Sequence, residues 1–361
     1  MVTYGTPIPT RRLGKNGPSV SELGYGAMGL SIGYGTAKPD EHRFKMLDAV
    51  IESGIYFIDT SDIYGDSEEL IGRWFKQNPG LREKVFLATK FGIKMDRSNG
   101  AFWADGSPEY VKTAVESNLK RLDIDYIDLY YVHRIDSKIP IELTMGALKE
   151  LKQAGKIRHI GLSEASAETI RRAHAVEPLA AVQLEYSPFA IDIEEPERNV
   201  LNTCRELGIA TVAYSPLGRG FLTGRYRSTE DFEPGDFRTY APRFSKENFP
   251  KNLELVDGIK ALADKKGVTA AQLTLAWVLS RGDDVIPIPG TTRLEGLEEN
   301  LGSLKVELSE EEKKEVERLA KECVPVGERY PAGMNDVLFA DTVPLDQYKP
   351  SNLIDDLRYR N

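Results

Sequence analysis

The sequence predicts a closed (β/α)8 barrel, and three features point to it. Short apolar runs of strand length alternate with amphipathic segments along most of the 361 residues, which indicates a parallel sheet with right-handed crossovers. Eight such runs, counting the first short one, favour a closed barrel over an open doubly wound sheet. Gly24, Gly26 and Gly29 lie at the end of the first run, but the next helix is expected about ten residues later, which does not match the glycine-rich dinucleotide-binding turn of an open sheet.

The elements follow one another in a regular order. A turn signal at Asn16-Gly17 predicts a small β-hairpin within residues 10–20, ahead of the barrel. Strands are predicted at 22–28, 56–59, 85–90, 126–133, 157–163, 181–186, 210–215 and 284–287. Helices are predicted to begin near Pro39, Ser67, Ser107, Pro140, Ser166, Glu195 and Pro250, and a last helix is expected to be capped by Ser309 and Glu312.

The helix that begins at Ser107 carries the helical signals most plainly. Ser107 can cap the helix, Pro108 suits the first helical position, and Glu109 suits the positive end of the helix dipole. Apolar residues recur at positions 111, 115, 119 and 122, which places them on one face. This segment is therefore predicted to pack an apolar face on the sheet.

Three connections are longer than a compact barrel needs: residues 92–106, 217–250 and 323–361. Segments of this length are usually functional lids or binding loops, or else disordered. In a barrel, all three are expected on the face where the carboxyl ends of the strands open. The acidic end of the tail, with Asp355, Asp356 and Tyr359, could fold back over the barrel or pair with a neighbouring molecule.

The composition is that of one globular domain, 1–361, with a barrel core at about 11–319 and a C-terminal tail at 320–361. The net charge of −9 argues against a nucleic acid or an anionic membrane as a partner. No apolar run approaches membrane-spanning length, and the N-terminus lacks the apolar core of a signal peptide, so the cytoplasm is the expected compartment. Cys204 and Cys323 lie far apart without metal-ligand spacing, so free thiols are expected.

Polar side chains close several of the predicted strands. Asp59 ends the apolar run 56–59, Lys90 ends the next strand, and His133 ends the one after that. In a barrel these strand ends converge on one face, where active sites are built. A lysine at the end of an apolar strand needs a partner, and Asp59 could supply it because burying either charge alone is costly.

The same residues are compatible with a structural role or with a metal site. Asp59 and Lys90 could be an ion pair that closes the barrel, with His133 a hydrogen-bonded histidine. Asp59, Asp62 and His133 could instead be metal ligands, although the lysine cation at the neighbouring strand end disfavours a metal. Tyr64, five residues beyond Asp59, is a further candidate for acid–base chemistry.

Several ordered segments resemble the aldo-keto reductase superfamily, from about residue 11 to residue 319. Residues 54–65 resemble its signature G-x-x-x-x-D-T-A-x-x-Y-G, with Ser61 in place of the alanine. Residues 87–90 resemble its lysine strand and residues 128–133 its histidine strand. Cofactor-binding segments are matched at 161–163, 183, 213–218 and 288–291. Residues 26–30 and 161–164 are similar to a branch with pyridoxal reductase-like and perakine reductase-like members.

The resemblance implies a catalytic tetrad of Asp59, Tyr64, Lys90 and His133. Tyr64 is then the proton donor, Asp59 and Lys90 adjust its acidity, and His133 orients the substrate carbonyl. A free tyrosine has a pKa near 10, so a nearby ammonium group is expected to lower the pKa of Tyr64 towards neutrality.

The resemblance also implies NADPH as cofactor. Tyr214 is expected to stack on the nicotinamide, and Ser163 and Gln183 to hold its carboxamide, while Glu164 replaces the asparagine usual after that serine. Arg293 is expected to bind the 2′-phosphate, with Arg219 a second possibility. The remaining expected contacts, to the pyrophosphate and the adenosine, are Ser215, Pro216, Leu217, Gly218, Gly220, Gly290, Thr291 and Asn300.

The function implied is NADPH-dependent reduction of aldehydes or ketones, with a small carbonyl compound as the partner. The long connections carry aromatic residues that could form the substrate pocket or simply pack together: Trp103, Phe221, Phe232, Phe244 and Tyr330. The alternative is a cofactor-binding redox sensor with slow turnover, as in potassium-channel β subunits. The sequence predicts neither the substrate nor the oligomeric state.

Overall fold

The structure is a computed structural model that describes residues 7–95 and 102–349. Its strands, in chain order, are β1 Thr10–Arg12, β2 Ser19–Ser21, β3 Tyr25–Gly26, β4 Phe57–Asp59, β5 Phe86–Phe91, β6 Ile93–Met95, β7 Phe102–Ala104, β8 Ile127–Val132, β9 Ile157–Ser163, β10 Ala181–Glu185, β11 Ala210–Tyr214 and β12 Val285–Pro287. The antiparallel pair β1–β2 is the predicted N-terminal hairpin, and β6–β7 is a second hairpin in the connection after β5.

Eight of these strands form the barrel, as predicted. They are all parallel and lie in the order β3-β4-β5-β8-β9-β10-β11-β12. The barrel closes because the Gly24 N–H donates to the Pro287 carbonyl at 2.9 Å and the Gly26 N–H to the Pro289 carbonyl at 3.4 Å. We call this junction of β3 with β12 and the residues after it the barrel seam. It has room only for small residues, since a Cβ at Gly290 would lie 2.6 Å from the Gly26 carbonyl oxygen.

Helices surround the barrel and cover its outer face. In chain order they are α1 Met28–Ser31, α2 Asp40–Glu52, α3 Ser67–Gln77, α4 Pro108–Leu122, α5 Ile141–Gln153, α6 Ala167–Val176, α7 Val200–Leu207, α8 Phe249–Lys266, α9 Ala270–Leu279, α10 Leu294–Gly302 and α11 Glu310–Glu322. The Ser107 cap of α4 and the Ser309–Glu312 capping box of α11 are confirmed.

The helix predictions need correction at one starting position, and they lack three of the observed helices, α1, α9 and α10. The helix expected near Glu195 begins only at Val200, because residues 192–194 form a 3-10 turn and Asn199 adopts a left-handed conformation at φ 50°. Helix α9 was not predicted at all. Nine of its ten residues are buried, so it lacks the one-sided apolar pattern that marks a surface helix.

The barrel interior has its own apolar core. Side chains alternate along each strand, so Phe57 and Tyr131 point inwards while Ile58 and Tyr130 pack against the helices. Leu13 of the N-terminal hairpin joins the interior cluster. The hairpin also bonds through its Lys15 N–H to the Gly208 carbonyl, just before β11 begins, so it covers the amino ends of the strands.

The described parts of the long connections lie at the opposite end, where the strands open. Residues 92–95 and 102–106 follow β5, and 217–250 follow β11 as a series of 3-10 turns. The tail crosses the end of β9, where the Ala340 N–H bonds to the Glu164 carbonyl and the Ser166 N–H to the Ala340 carbonyl. Asp355, Asp356 and Tyr359 lie outside the described residues. None of the helices within 7–95 and 102–349 is both long and apolar enough to cross a bilayer.

Candidate active site

A buried ion pair joins the ends of β4 and β5. Lys90 Nζ lies 2.5 Å from Asp59 Oδ1 and donates to the Thr60 carbonyl at 2.7 Å, while Gln183 Nε2 donates to Asp59 Oδ2 at 2.7 Å. Asp59 is 2% exposed and Lys90 0%. Burial raises the pKa of Asp59 and lowers the pKa of Lys90, and their mutual attraction opposes both shifts.

Tyr64 lies next to this pair, in the loop between β4 and α3. Lys90 Nζ is 4.9 Å from the centroid of the Tyr64 ring, and the ring packs edge-on against His133 at 5.7 Å between centroids. Burial raises the pKa of Tyr64, and the charge of Asp59 raises it further. The expectation that Lys90 lowers this pKa is therefore wrong: the ammonium group is neutralised by Asp59, and Tyr64 stays protonated.

His133 directly follows β8 and is a neutral histidine. Burial and the charges of Arg134 and Lys90 hold the pKa of His133 well below its usual range. Its Nδ1 lies 3.0 Å from Ser61 Oγ, which leaves Nε2 as the ring nitrogen without a protein partner in the described chain. A neutral imidazole can donate one hydrogen bond and accept another.

A cleft of about 390 Å³ opens at this end of the barrel, and Asp59 and Tyr64 are among its lining residues. Of the other predicted site residues, it is lined by Gln183, Tyr214, Ser215, Pro216, Leu217, Gly220, Gly290, Thr291, Arg293 and Asn300. Lys90 and His133 are buried beside it, Ser163 accepts a hydrogen bond from Arg134 at 3.3 Å, and Gly218 lies in the turn after Leu217. The structure thus brings the predicted residues together around one cleft and its floor.

One side of the cleft is suited to binding an anion, because it contains an arginine and a helix N-terminus. Arg293 is the exposed N-cap residue of α10, and Gly296 in the first turn of that helix also lines the cleft. A helix N-terminus presents unpaired N–H groups to an anion. Arg219 also lines the cleft, but its guanidinium group pairs with Glu185 at 3.4 Å and donates to the Arg329 carbonyl at 3.0 Å.

Three non-glycine residues around the cleft adopt positive φ angles: Glu164 at 51°, Ser215 at 47° and Arg219 at 59°. Such conformations cost of the order of 1–3 kcal/mol each and collect at ligand-binding sites. The strain lies in the two segments, 163–164 and 215–220, that the sequence predicts to contact a cofactor.

Residues 22–321 match the sequence pattern of the aldo/keto reductase family. The chain belongs to this family. Two curated relatives are similar over almost their whole length. The Schizosaccharomyces pombe protein named aldo-keto reductase yakc [NADP(+)] is 51% identical over 340 residues, 94% of this chain and 99% of that protein. The Strobilurus tenacellus protein named aldo-keto reductase str7 is 50% identical over 328 residues, 90% of this chain and 95% of that protein.

Solved structures of aldo/keto reductases share the fold. The glycerol dehydrogenase AKR11B4 from Gluconobacter oxydans has a TM-score of 0.77 and 31% identity over 88% of this chain and 96% of that chain. The thermostable aldo-keto reductase Tm1743, solved with the inhibitor epalrestat, has a TM-score of 0.69 and 30% identity over 86% of this chain and 100% of that chain. The narrower branch named from the sequence stays a prediction.

The C-terminal tail of this aldo/keto reductase contributes to the site, through residues that sequence reasoning placed only in general terms. Arg329 pairs with Asp192 and lies 3.7 Å from Glu164, whose other oxygen accepts from the Glu185 N–H at 3.0 Å. Glu164, which replaces the usual asparagine, is thus turned towards the tail. The next residue, Tyr330, places its hydroxyl 3.2 Å from that of Tyr214.

Arg134, beside the cleft, was missed by sequence reasoning, as were the cleft residues Tyr34, Arg225 and Arg238. It is buried, and it donates to the His133 carbonyl at 2.7 Å and to the Tyr330 hydroxyl at 3.4 Å. Its charge favours ionisation of Tyr64, in contrast to that of Asp59. The one available signal was an arginine directly after the strand-end histidine.

The aromatic residues of the long connections divide into two groups. Phe221, Phe232 and Phe244 are buried and pack on one another, with Phe221 5.5 Å and Phe232 5.9 Å from Phe244 between ring centroids. Packing under the 217–250 connection therefore accounts for these three, and the cleft does not include them. Tyr330 is next to the cleft residue Tyr214, and Trp103 lies in β7.

Proposed function

We propose that the protein reduces aldehydes or ketones to alcohols with NADPH, using Tyr64 as the proton donor. The observation that carries the proposal is that Tyr64 and Asp59, with Lys90 buried behind Asp59, line one cleft with Arg293 and the N-terminus of α10. The cleft volume of about 390 Å³ lies within the range of small-molecule sites. The yakc relative is named with NADP(+), which supports the same cofactor.

The residues present fit a phosphorylated dinucleotide. Arg293 and the first turn of α10 supply a cation and free N–H groups for the 2′-phosphate. The segment from Ser215 to Gly220 would hold the pyrophosphate, and the ring of Tyr214 would stack on the nicotinamide. Gln183 donates to Asp59, so its carbonyl oxygen remains to accept from the carboxamide. When bound, NADPH supplies the hydride that adds to the carbonyl carbon.

The side chains near the strand ends donate a proton to the substrate oxygen and stabilise the negative charge that develops on it. The Tyr64 O–H and the His133 Nε2–H donate to the substrate oxygen, where negative charge develops during reduction. Because an alkoxide is a stronger base than a phenolate, the proton passes from Tyr64 to that oxygen even though burial raises the pKa of Tyr64. Asp59 fixes Lys90 in place beside the ring, and the charge of Arg134 stabilises the phenolate until solvent returns the proton.

Steady-state oxidation of NADPH with a panel of aldehydes and ketones tests the proposal, alongside direct measurement of NADPH binding. The expected result is binding in the micromolar range or tighter, with turnover on a subset of the carbonyls. Tight binding with negligible turnover on every carbonyl would favour a redox sensor. Absence of NADPH binding would contradict both functions.

A further inference from the structure

Ser61 connects His133 to a carboxyl group that is not part of the predicted tetrad. Its Oγ lies 3.0 Å from His133 Nδ1 and 3.1 Å from Asp62 Oδ1, and the Ile63 N–H approaches the same oxygen at 3.5 Å. Ser61 is buried and Asp62 is partly buried. The alanine usual at this position of the signature could make neither side-chain contact.

A serine hydroxyl has a single proton, so it can donate to only one of these two neighbours. If Ser61 donates to His133 Nδ1, the neutral imidazole carries its proton on Nε2. If Ser61 donates to Asp62, its oxygen can only accept from His133, and the imidazole carries its proton on Nδ1. The first arrangement gives His133 an Nε2–H to donate to a substrate oxygen, whereas the second presents a lone pair to that oxygen.

We propose that Ser61 is a positioning residue that sets the tautomer of His133, and that the protonation of Asp62 selects between the two tautomers through Ser61. A protonated Asp62 donates its O–H to Ser61 Oγ, which frees the serine proton for His133 Nδ1. An ionised Asp62 attracts the serine proton and leaves His133 with its proton on Nδ1. The consequence for catalysis rests on the proposed function, in which the His133 Nε2–H donates to the carbonyl.

The surroundings of Asp62 suit a group that changes protonation near neutral pH. Burial and the charge of Glu68 on α3 raise the pKa of Asp62 to about 7, and Arg121 on α4 and Lys90 on β5 oppose this rise. The Asp62 N–H also bonds to the Lys90 carbonyl at 3.2 Å. The other titratable groups near Asp62 are Tyr64, Tyr110, Tyr130 and, through Ser61, His133.

The direction of the pH effect follows from this arrangement. Below the pKa of Asp62 the Nε2–H tautomer of His133 dominates, and carbonyl reduction is favoured. Above it the Nδ1–H tautomer takes over, and kcat/KM for reduction falls. One group with a pKa of about 7 gives about a fivefold fall between pH 7 and pH 8.

Nitrogen-15 NMR of histidine-labelled protein measures the tautomer without any turnover. The chain has 4 histidines, so His42, His159 and His174 serve as internal references for His133. In the wild type, the signal of a protonated ring nitrogen is expected to belong to Nε2 of His133 at pH 6 and to Nδ1 at pH 8, so the two signals exchange over this range. In Asp62→Asn, which keeps a neutral side chain at all pH values, the exchange is expected to disappear.

Ser61→Ala is the second variant, and the signature alanine makes it a mild change. In this variant the tautomer of His133 is expected to stay the same from pH 6 to pH 8. Kinetics then adds a second measurement. Because both variants lack the link from Asp62 through Ser61 to His133, kcat/KM should fall between pH 7 and pH 8 in the wild type only. Lys90 and Tyr64 are intact in both variants, so they do not account for such a difference.

A wild-type His133 whose tautomer stays constant from pH 6 to pH 8, or the same pH-dependent exchange in both variants, would overturn the inference. If the exchange occurs as expected but no carbonyl is reduced, the tautomer switch stands and the proposed function fails. The two failures are therefore distinguishable.

Discussion

Removing one partner of the buried Asp59–Lys90 pair should destabilise the protein strongly. In Lys90→Met, an unbranched apolar side chain replaces the ammonium group that bonds Asp59 at 2.5 Å and Thr60 at 2.7 Å. Within residues 7–95 and 102–349, Asp59 then retains only the Gln183 amide as a side-chain partner. Its carboxylate stays in a site where the residue is 2% exposed, so water cannot replace the lost cation.

The expected loss for Lys90→Met is about 3–5 kcal/mol of unfolding free energy, the usual penalty for leaving one charge of a buried pair unpaired. The double variant Asp59→Asn/Lys90→Met leaves no buried charge at this site, and the amide oxygen introduced at position 59 can still accept from Gln183. It should therefore be more stable than the single variant. Asp59 and Lys90 would then show a coupling energy of the order of 0.5–3 kcal/mol in a double-mutant cycle.

Urea denaturation at pH 7.5 and pH 5.5 measures both effects. Burial already raises the pKa of Asp59 with Lys90 present, and loss of Lys90 raises it further. When the pKa of a carboxyl group is higher in the folded than in the unfolded protein, the free energy of unfolding falls as pH rises towards the folded-state pKa. The difference in unfolding free energy between Lys90→Met and the more stable double variant should thus be smaller at pH 5.5 than at pH 7.5. A Lys90→Met protein within about 1 kcal/mol of wild type at pH 7.5, or a deficit independent of pH, would refute this reasoning.

Three further predictions concern the cofactor, the tail and the barrel seam. Arg293→Ala should raise the KM for NADPH by about 10- to 100-fold and leave that for NADH nearly unchanged, because a hydrogen bond to a charged group is worth about 1.5–3 kcal/mol. Arg329→Met should loosen the tail from Glu164 and Asp192, seen as faster chymotrypsin cleavage after Phe339, whose ring also packs against Arg329. Gly290→Ala should cost about 1–3 kcal/mol in thermal or urea unfolding, because its new Cβ would meet a backbone carbonyl 2.6 Å away.

Each of these changes has a matched control. NADH is the control for Arg293→Ala, and an equal loss with both cofactors would contradict a 2′-phosphate contact. Arg318→Met removes an arginine from the exposed side of α11 and should leave cleavage of the tail unchanged. Gly146 has open space around its Cβ position, so a Gly290→Ala protein as stable as Gly146→Ala would contradict the proposed close packing at the seam.

The barrel and the residues at its strand ends could be predicted because both depend on local patterns. Strand-length apolar runs determined the order of the sheet, and a lysine at the end of such a run required an acid nearby. Asp59 and Lys90 indeed form that pair. Helix α9 escaped the same reasoning because it is buried on nearly all sides, and the sequence pattern has no polar face to reveal it.

The parts of the site that could not be predicted depend on contacts between distant segments. Arg329 and Tyr330 reach Glu164 and Tyr214 from more than a hundred residues away in sequence, and no periodicity reports such a contact. The pKa of Tyr64 was misjudged for a related reason. The sequence identified the neighbouring lysine, but the balance between its charge, the charge of Asp59 and burial depends on the three-dimensional packing.

The role of Tyr64 as proton donor is the central claim, and Tyr64→Phe tests it most directly. The measurement is kcat for carbonyl reduction together with the Kd for NADPH, with Tyr330→Phe as a control that also removes a hydroxyl near Tyr214. We expect Tyr64→Phe to lower kcat by about 100-fold or more with the NADPH Kd nearly unchanged, while Tyr330→Phe retains most activity. A Tyr64→Phe enzyme that keeps its kcat within about threefold of wild type would contradict the claim.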